Sequence, residues 1–210
     1  DSLVHKGIWV SGLEGGLSTT KLNNNQSTSF ADKGFSYIFN FNTGIFIKNN
    51  LASGVNLKFT NSSKTYSTFY NKQEMVYFGP WLRYYFKFQH NWYVYPEIGL
   101  SYVGFYSETL STIDNELFLT HGNGPGVNPG IGIVYFVSKN AAFTVRWNYQ
   151  LNLLNGTGET INKQSKVSVP IENAIYGNSS LLFGFQLYIC LLYTSPSPRD
   201  AHESRMPSSA

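Results

Sequence analysis

Apolar and polar residues alternate one by one along most of this chain. Between Phe35 and Ile47, Phe35, Tyr37, Phe39, Phe41, Ile45 and Ile47 fall on one side, and Ser36, Ile38, Asn40, Asn42 and Gly44 on the other. A period of two is that of a β-strand, whose successive side chains point to opposite faces. Residues 76–88 repeat it, with Val76, Phe78, Pro80, Leu82, Tyr84, Phe86 and Phe88 against Tyr77, Gly79, Trp81, Arg83, Tyr85 and Lys87. So do residues 143–153, with Phe143, Val145, Trp147, Tyr149, Leu151 and Leu153 against Thr144, Arg146, Asn148, Gln150 and Asn152. The same split near 7–19, 51–61, 92–107, 126–138 and 179–189 predicts eight strands in all.

Short turns are predicted at 48–50, 89–91 and 138–140, and long polar connections at about 20–33, 62–73, 108–125 and 154–178. Short turns at one end and long loops at the other describe an all-β, eight-stranded antiparallel up-and-down transmembrane barrel. Both termini then lie on the short-turn side, expected to be periplasmic, with the long loops extracellular. The direction of the faces separates a membrane barrel from a soluble one. The uninterrupted face is long, aromatic and uncharged, whereas the other collects Gly, Asn, Ser and the mid-strand charges. In lipid the apolar face must point outward, and closure of the sheet satisfies every backbone N–H and C=O. A soluble barrel or sandwich with the aromatic face as its core is the rival; it would carry more Lys and Glu outside. Glycine favours the membrane reading. Gly12, Gly16, Gly44, Gly54, Gly79, Gly99, Gly130, Gly132 and Gly184 fall on the inward set, with Gly15 and Gly104 as exceptions. A narrow lumen holding Tyr77, Trp81, Arg83 and Tyr85 needs small partners across it.

Composition sharpens this. Of 210 residues, 13% are charged and 17% aromatic, and the net charge is +3. The charged fraction is about half that of a soluble domain, yet mean hydropathy is negative and no run approaches the ~18 apolar residues of a membrane helix. One Cys excludes an intramolecular disulfide framework. Scattered Lys and Arg give no nucleic-acid footprint. The composition shifts abruptly over residues 190–210, which hold the only Cys and three of the eight prolines. This stretch resembles a translated sequencing-library adapter. Cys190 to Asp200 match a common transposase adapter, Ala201 to Glu203 span its variable index, and Ser204 to Ala210 match the flanking primer site. Residues 1–189 are therefore expected to form the barrel, and 190–210 to be a non-native, disordered tail.

Four segments carry a family resemblance: GIWVSGLEGGLSTTK (Gly7–Lys21), FGPWLRYYF (Phe78–Phe86), YVYPEIGLSYV (Tyr93–Val103) and LLFGFQLYI (Leu181–Ile189). Over about Gly7 to Ile189 the chain resembles the outer-membrane β-barrel domain family of bacterial envelopes, small eight-stranded porin-like proteins common in Bacteroidetes-type bacteria. The resemblance implies a signal peptide, outer-membrane lipid as surroundings, and folding through the barrel assembly machinery. Family members usually end on an aromatic after a pattern like Gly184, Leu187 and Ile189; here that aromatic is missing, so a few native residues are expected to have been lost at the adapter. Asp1 is then either a mature start or a truncation.

Candidate chemistry is sparse. The inward charges are Glu14, Lys58, Arg83, Glu97 and Arg146, and counting from the short-turn ends puts all five at similar height. If Phe88 faces Trp92, Arg83 lies opposite Glu97; by the same count Asn40 faces Lys58 and Gly132 faces Arg146. Buried charges must be paired, so this cluster reads as an ionic plug, with a gate or selectivity ring as the alternative. Trp9, Trp92 and Tyr135 are candidates for the periplasmic aromatic girdle, and Tyr106 and Tyr149 for the outer one. His121 sits in HGNGPG, which lacks the Lys-Ser/Thr ending and setting of a phosphate loop and reads as a Gly/Pro loop leading into a strand. No His is expected on a lipid-facing strand position near the bilayer rim. No catalytic group, cofactor or metal site is suggested, and an enzyme is not expected. In the third long connection, apolar Ile113, Leu117, Phe118 and Leu119 are placed to pack over the mouth. The sequence thus points to a monomeric outer-membrane barrel, structural or porin-like, with a largely filled polar lumen. The alternatives are a narrow channel for small or hydrophobic solutes, and a surface binding or adhesion module whose long loops hold an unknown extracellular ligand.

Overall fold

The computed structural model describes residues 3–22, 32–65, 68–111, 113, 116–161 and 166–190. Its strands are β1 (Ile8–Leu22), β2 (Asp32–Lys48), β3 (Leu51–Thr65), β4 (Phe69–Tyr84), β5 (Phe86–Lys87), β6 (Trp92–Ser111), β7 (Leu117–Phe136), β8 (Ala141–Ile161) and β9 (Lys166–Cys190). Every neighbouring pair is antiparallel, and β5 continues β4 after a break at Tyr85. The ring closes because β4 pairs with β6 and β1 with β9. With β4 and β5 counted as one, this is an eight-stranded up-and-down barrel.

The predicted register holds. Phe88 donates its N–H to the Trp92 carbonyl, Arg83 lies opposite Glu97, Asn40 opposite Lys58 and Gly132 opposite Arg146. At the turn between β2 and β3, Asn50 takes a φ of 65°, a left-handed conformation that Asn tolerates better than most residues.

The long connections do not match their prediction. Most of 62–73, 108–125 and 154–178 is strand, and β1 and β2 reach Leu22 and Asp32; the rest of the 20–33 connection lies outside the described residues. The HGNGPG segment is likewise inside β7, not in a loop. The physical reason is that these extensions stand above the lipid-facing belt, where water meets both faces. Period-two hydrophobicity vanishes there, while the backbone ladder continues. Polar cross-strand pairs replace apolar contact: Asn61 Nδ2 donates to Glu74 Oε1 at 3.0 Å and Asn71 Nδ2 to Thr109 Oγ1 at 2.7 Å. Lys72 pairs with Glu74 at 2.7 Å, and Lys166 with Glu159 at 3.0 Å. Nor does Ile113 pack over the mouth; it is exposed, as is Phe118 at the start of β7.

Below these extensions the outward face is a continuous apolar belt that includes Phe41, Phe59, Phe78, Leu100, Ile131, Trp147 and Phe183, all solvent-accessible in the isolated chain. So large an apolar surface on one chain requires a non-aqueous surrounding. The inward face is buried, and it carries two kinds of packing. At the short-turn end it is aromatic: Phe46, Tyr85, Tyr93, Tyr95, Phe136 and Tyr188 cluster, joined by Val4 from the segment before β1. Further up it is polar.

Glycine sets the clearance inside. A Cβ placed on either Gly44 or Gly54 would come within 2.7 Å of the Trp81 ring. A Cβ on Gly132 would meet the Tyr95 ring. The large inward residues are accommodated because the facing strand has no side chain there.

Candidate functional site

The five inward charges come together near mid-barrel. Period-two alternation turns each of them inward, and the long Arg and Lys side chains reach across the narrow lumen between different rungs of the ladder. Arg146 on β8 bridges two carboxylates. Its Nη2 lies 2.5 Å from Glu14 Oε2 on β1 and its Nη1 2.6 Å from Glu97 Oε1 on β6. Arg83 on β4 donates Nε–H to the other Glu97 oxygen. The Arg83 guanidinium lies 4.5 Å from the Trp81 ring centroid and 4.7 Å from that of Tyr95, a cation–π contact strengthened by burial. Asn40 Nδ2 donates to Glu14 Oε2 at 3.0 Å. The result is a chain of opposite charges across the lumen from Glu14 through Arg146 and Glu97 to Arg83.

Lys58 stands at the side of this chain. It makes no ion pair among the described residues. Its Nζ donates to Gln150 Oε1 at 2.5 Å and to Asn148 Oδ1 at 3.5 Å, and lies 4.8 Å from the Tyr77 ring centroid. Lys58, Glu97 and Arg146 share a void of about 10 Å³, about the volume one water centre needs.

Directly beneath, the aromatic cluster seals the short-turn end. Tyr85 packs on Phe46 and Tyr95 with ring centroids 5.2 and 5.1 Å apart, and Phe136 on Tyr188 at 4.6 Å. Arg83 Nη1 donates to Tyr85 Oη at 3.4 Å, tying the charged layer to the aromatic one. Sequence reasoning found the charges but missed this second layer. Tyr85 was on its inward face, but Phe46, Tyr93, Tyr95, Phe136 and Tyr188 were not recognised as a group. Their signal was weak: the inward aromatics near the short turns are interspersed with Val10, Ala52, Val134 and Ala142, and the outward face there is apolar as well.

The girdle candidates divide. Trp9, Trp92 and Tyr135 are outward and near the short-turn end. Trp92 and Tyr135 face each other across β6 and β7, rings 4.7 Å apart, and Trp9 Nε1 donates to Thr43 Oγ1 at 2.9 Å. Tyr106 and Tyr149 do not share a level. The ladder runs from Tyr106 through His121 to Thr157, well beyond Tyr149 along β8, so Tyr149 sits deeper in the belt. That expectation erred because it ended the strands too early. For the same reason His121 was misplaced. It is exposed on the outward set of β7, opposite Tyr106, at the upper edge of the belt. No group of three His, Cys, Asp or Glu that could hold a metal occurs among the described residues.

Comparison with known proteins agrees with this architecture. The family model of the outer membrane protein beta-barrel domain matches residues 6–170. No curated protein matches the chain. Among solved structures, a major outer membrane protein from Thermus thermophilus is similar at a TM-score of 0.56 and 11% identity, covering 86% of this chain and 99% of that one. The outer membrane protein OprG from Pseudomonas aeruginosa is similar at a TM-score of 0.51 and 12% identity, covering 90% of this chain and 99% of that one. These identities speak to fold alone. The family match spans most of the barrel, and the chain belongs to the outer membrane protein β-barrel domain family, whose place is the bacterial outer membrane.

Proposed function

We propose that this protein is a structural, porin-like barrel of the outer membrane whose lumen is shut, with no standing pore. The observation that carries this reading is the stacking of two seals: the Glu14–Arg146–Glu97–Arg83 chain, and below it the aromatic cluster around Tyr85. Ions crossing the lumen would have to break buried ion pairs and displace packed rings together. The barrel stands as a monomer in lipid, with its short-turn end toward the periplasm and its long strand extensions toward the outside. It reaches that state through the barrel assembly machinery. Its paired and stacked groups serve folding stability and none acts as a catalyst.

Conductance in planar lipid bilayers tests this. The wild-type protein is expected to be silent, and Arg83→Ala and Glu97→Ala to stay silent because the aromatic layer still closes the path. A large rise in either variant would assign these residues to a gate and overturn the reading.

A further inference from the structure

The ring is not closed along its whole height. The β1–β9 ladder runs from Ile8↔Cys190 to Gly15↔Phe183 and stops there. Both strands go on: β1 stays paired with β2 as far as Leu22↔Asp32, and β9 with β8 as far as Lys166. Above Gly15 and Phe183 no further β1–β9 pair forms among the described residues; at Gly16 the edges are still close, a Cβ there lying 2.8 Å from the Leu181 carbonyl oxygen, and the unpaired stretch lies beyond it. The surface beside the foot of this stretch is still apolar, since Leu17 and Leu181 are exposed on it. Unpaired backbone at lipid depth is tolerated only where it lines a wet or occupied cavity.

Such a cavity lies behind the seam. It has a volume of about 390 Å³, within the range of small-molecule sites. Leu17 and Leu181 stand at its mouth. Met75 and Tyr176 form an apolar wall that continues into the cluster of Tyr77, Val103 and Leu154. Ser62, Lys64 and Gln73 give the opposite chemistry. Lys64 is the one charged side chain among the described lining residues, and it makes no ion pair among the described residues. Lys64 also lies toward the long-loop end. The ladder carries Leu17 to Tyr37 and on to Asn61, and Lys64 is further along β3. Polar head groups belong at that end and apolar chains at the other, which is the order of a lipid in the outer leaflet.

We propose that this seam is the lateral mouth of a binding site for a single-chain amphiphile with an anionic head, of the fatty-carboxylate class. The carboxylate accepts hydrogen bonds from Lys64, Ser62 and Gln73. The chain lies along Met75 and Tyr176 and leaves through the unpaired stretch of the seam, over the Leu17 and Leu181 side chains, into the bilayer. The site sits above the plug and stands whether or not the lumen below conducts.

Equilibrium dialysis of radiolabelled laurate against the protein in amphipol tests the assignment, with dodecanol as the neutral comparison. Wild type is expected to bind one laurate saturably. Lys64→Gln is expected to weaken laurate by about tenfold, the worth of one charge-assisted contact, and to leave dodecanol unchanged. Met75→Trp, which fills the cavity, is expected to weaken both. Absence of saturable binding, or equal binding in all three proteins, would overturn the site. Loss in Met75→Trp with laurate unchanged in Lys64→Gln would overturn the anionic class. Each variant is first checked for the heat-dependent gel mobility of a folded barrel. Lys64→Gln, a substitution of a half-buried side chain with no ion pair among the described residues, decides alone if Met75→Trp does not refold.

Discussion

The two halves of this barrel solve the same problem in different ways. At the short-turn end the eight strands pair all the way round, and the interior is filled by rings and by paired charges. At the long-loop end the β1–β9 pairing lapses and the interior holds a cavity. The difference follows from what each half can bury. Tyr85, Tyr95, Phe46 and Tyr188 fill the lower lumen, and the Arg and Glu charges above them are paired with one another. In the upper half Ser62, Lys64, Gln73 and Asn178 line the cavity, and a polar lining tolerates water.

The largest expected effect comes from removing the bridge in the seal. Arg146→Ala leaves Glu14 and Glu97 buried, Glu14 with Asn40 as its remaining partner among the described residues. Breaking a buried pair on one side costs about 3–5 kcal/mol, to be read as a lower urea midpoint in lipid vesicles. A loss under about 1 kcal/mol would mean that water already solvates this layer. Gly132→Ala should cost about 1–3 kcal/mol by overpacking, because its Cβ meets the Tyr95 ring. The penalty should shrink in a Tyr95→Leu background. Equal penalties in both backgrounds would place the strain in the backbone instead. Lys58→Met should be the mildest, within about 1 kcal/mol of wild type, since no carboxylate is orphaned and buried charge is replaced by apolar volume. A loss matching that of Arg146→Ala would show that Lys58 belongs to the ionic chain after all.

The fold was legible because the lipid belt writes itself into the sequence as strict alternation. The 35–47, 76–88 and 143–153 segments needed no further information, and the short turns fixed the Arg83–Glu97 register. What was not legible lay where that constraint is absent. Above the belt, Asn61 to Thr65 and Asn71 to Glu74 are polar on both faces, so their strands carry no period-two signal, and Tyr149 and His121 were misplaced in consequence. The aromatic seal was hidden for a different reason: near the short turns both faces are apolar, and alternation cannot separate a lipid-facing ring from a lumen-facing one. The seam was out of reach, because a missing strand pair leaves no mark on residue types.

Thiol accessibility tests the contrast between the halves most directly. With Cys190 replaced by Ser, a cysteine is placed at Ala52, which is fully buried opposite Arg83 and belongs to the cluster around Tyr85, or at Ser62, which lines the upper cavity. Each folded protein is then exposed to a charged methanethiosulfonate. Ser62→Cys is expected to label rapidly, and Ala52→Cys only after unfolding. Comparable labelling of both in the folded state would contradict a sealed lower lumen.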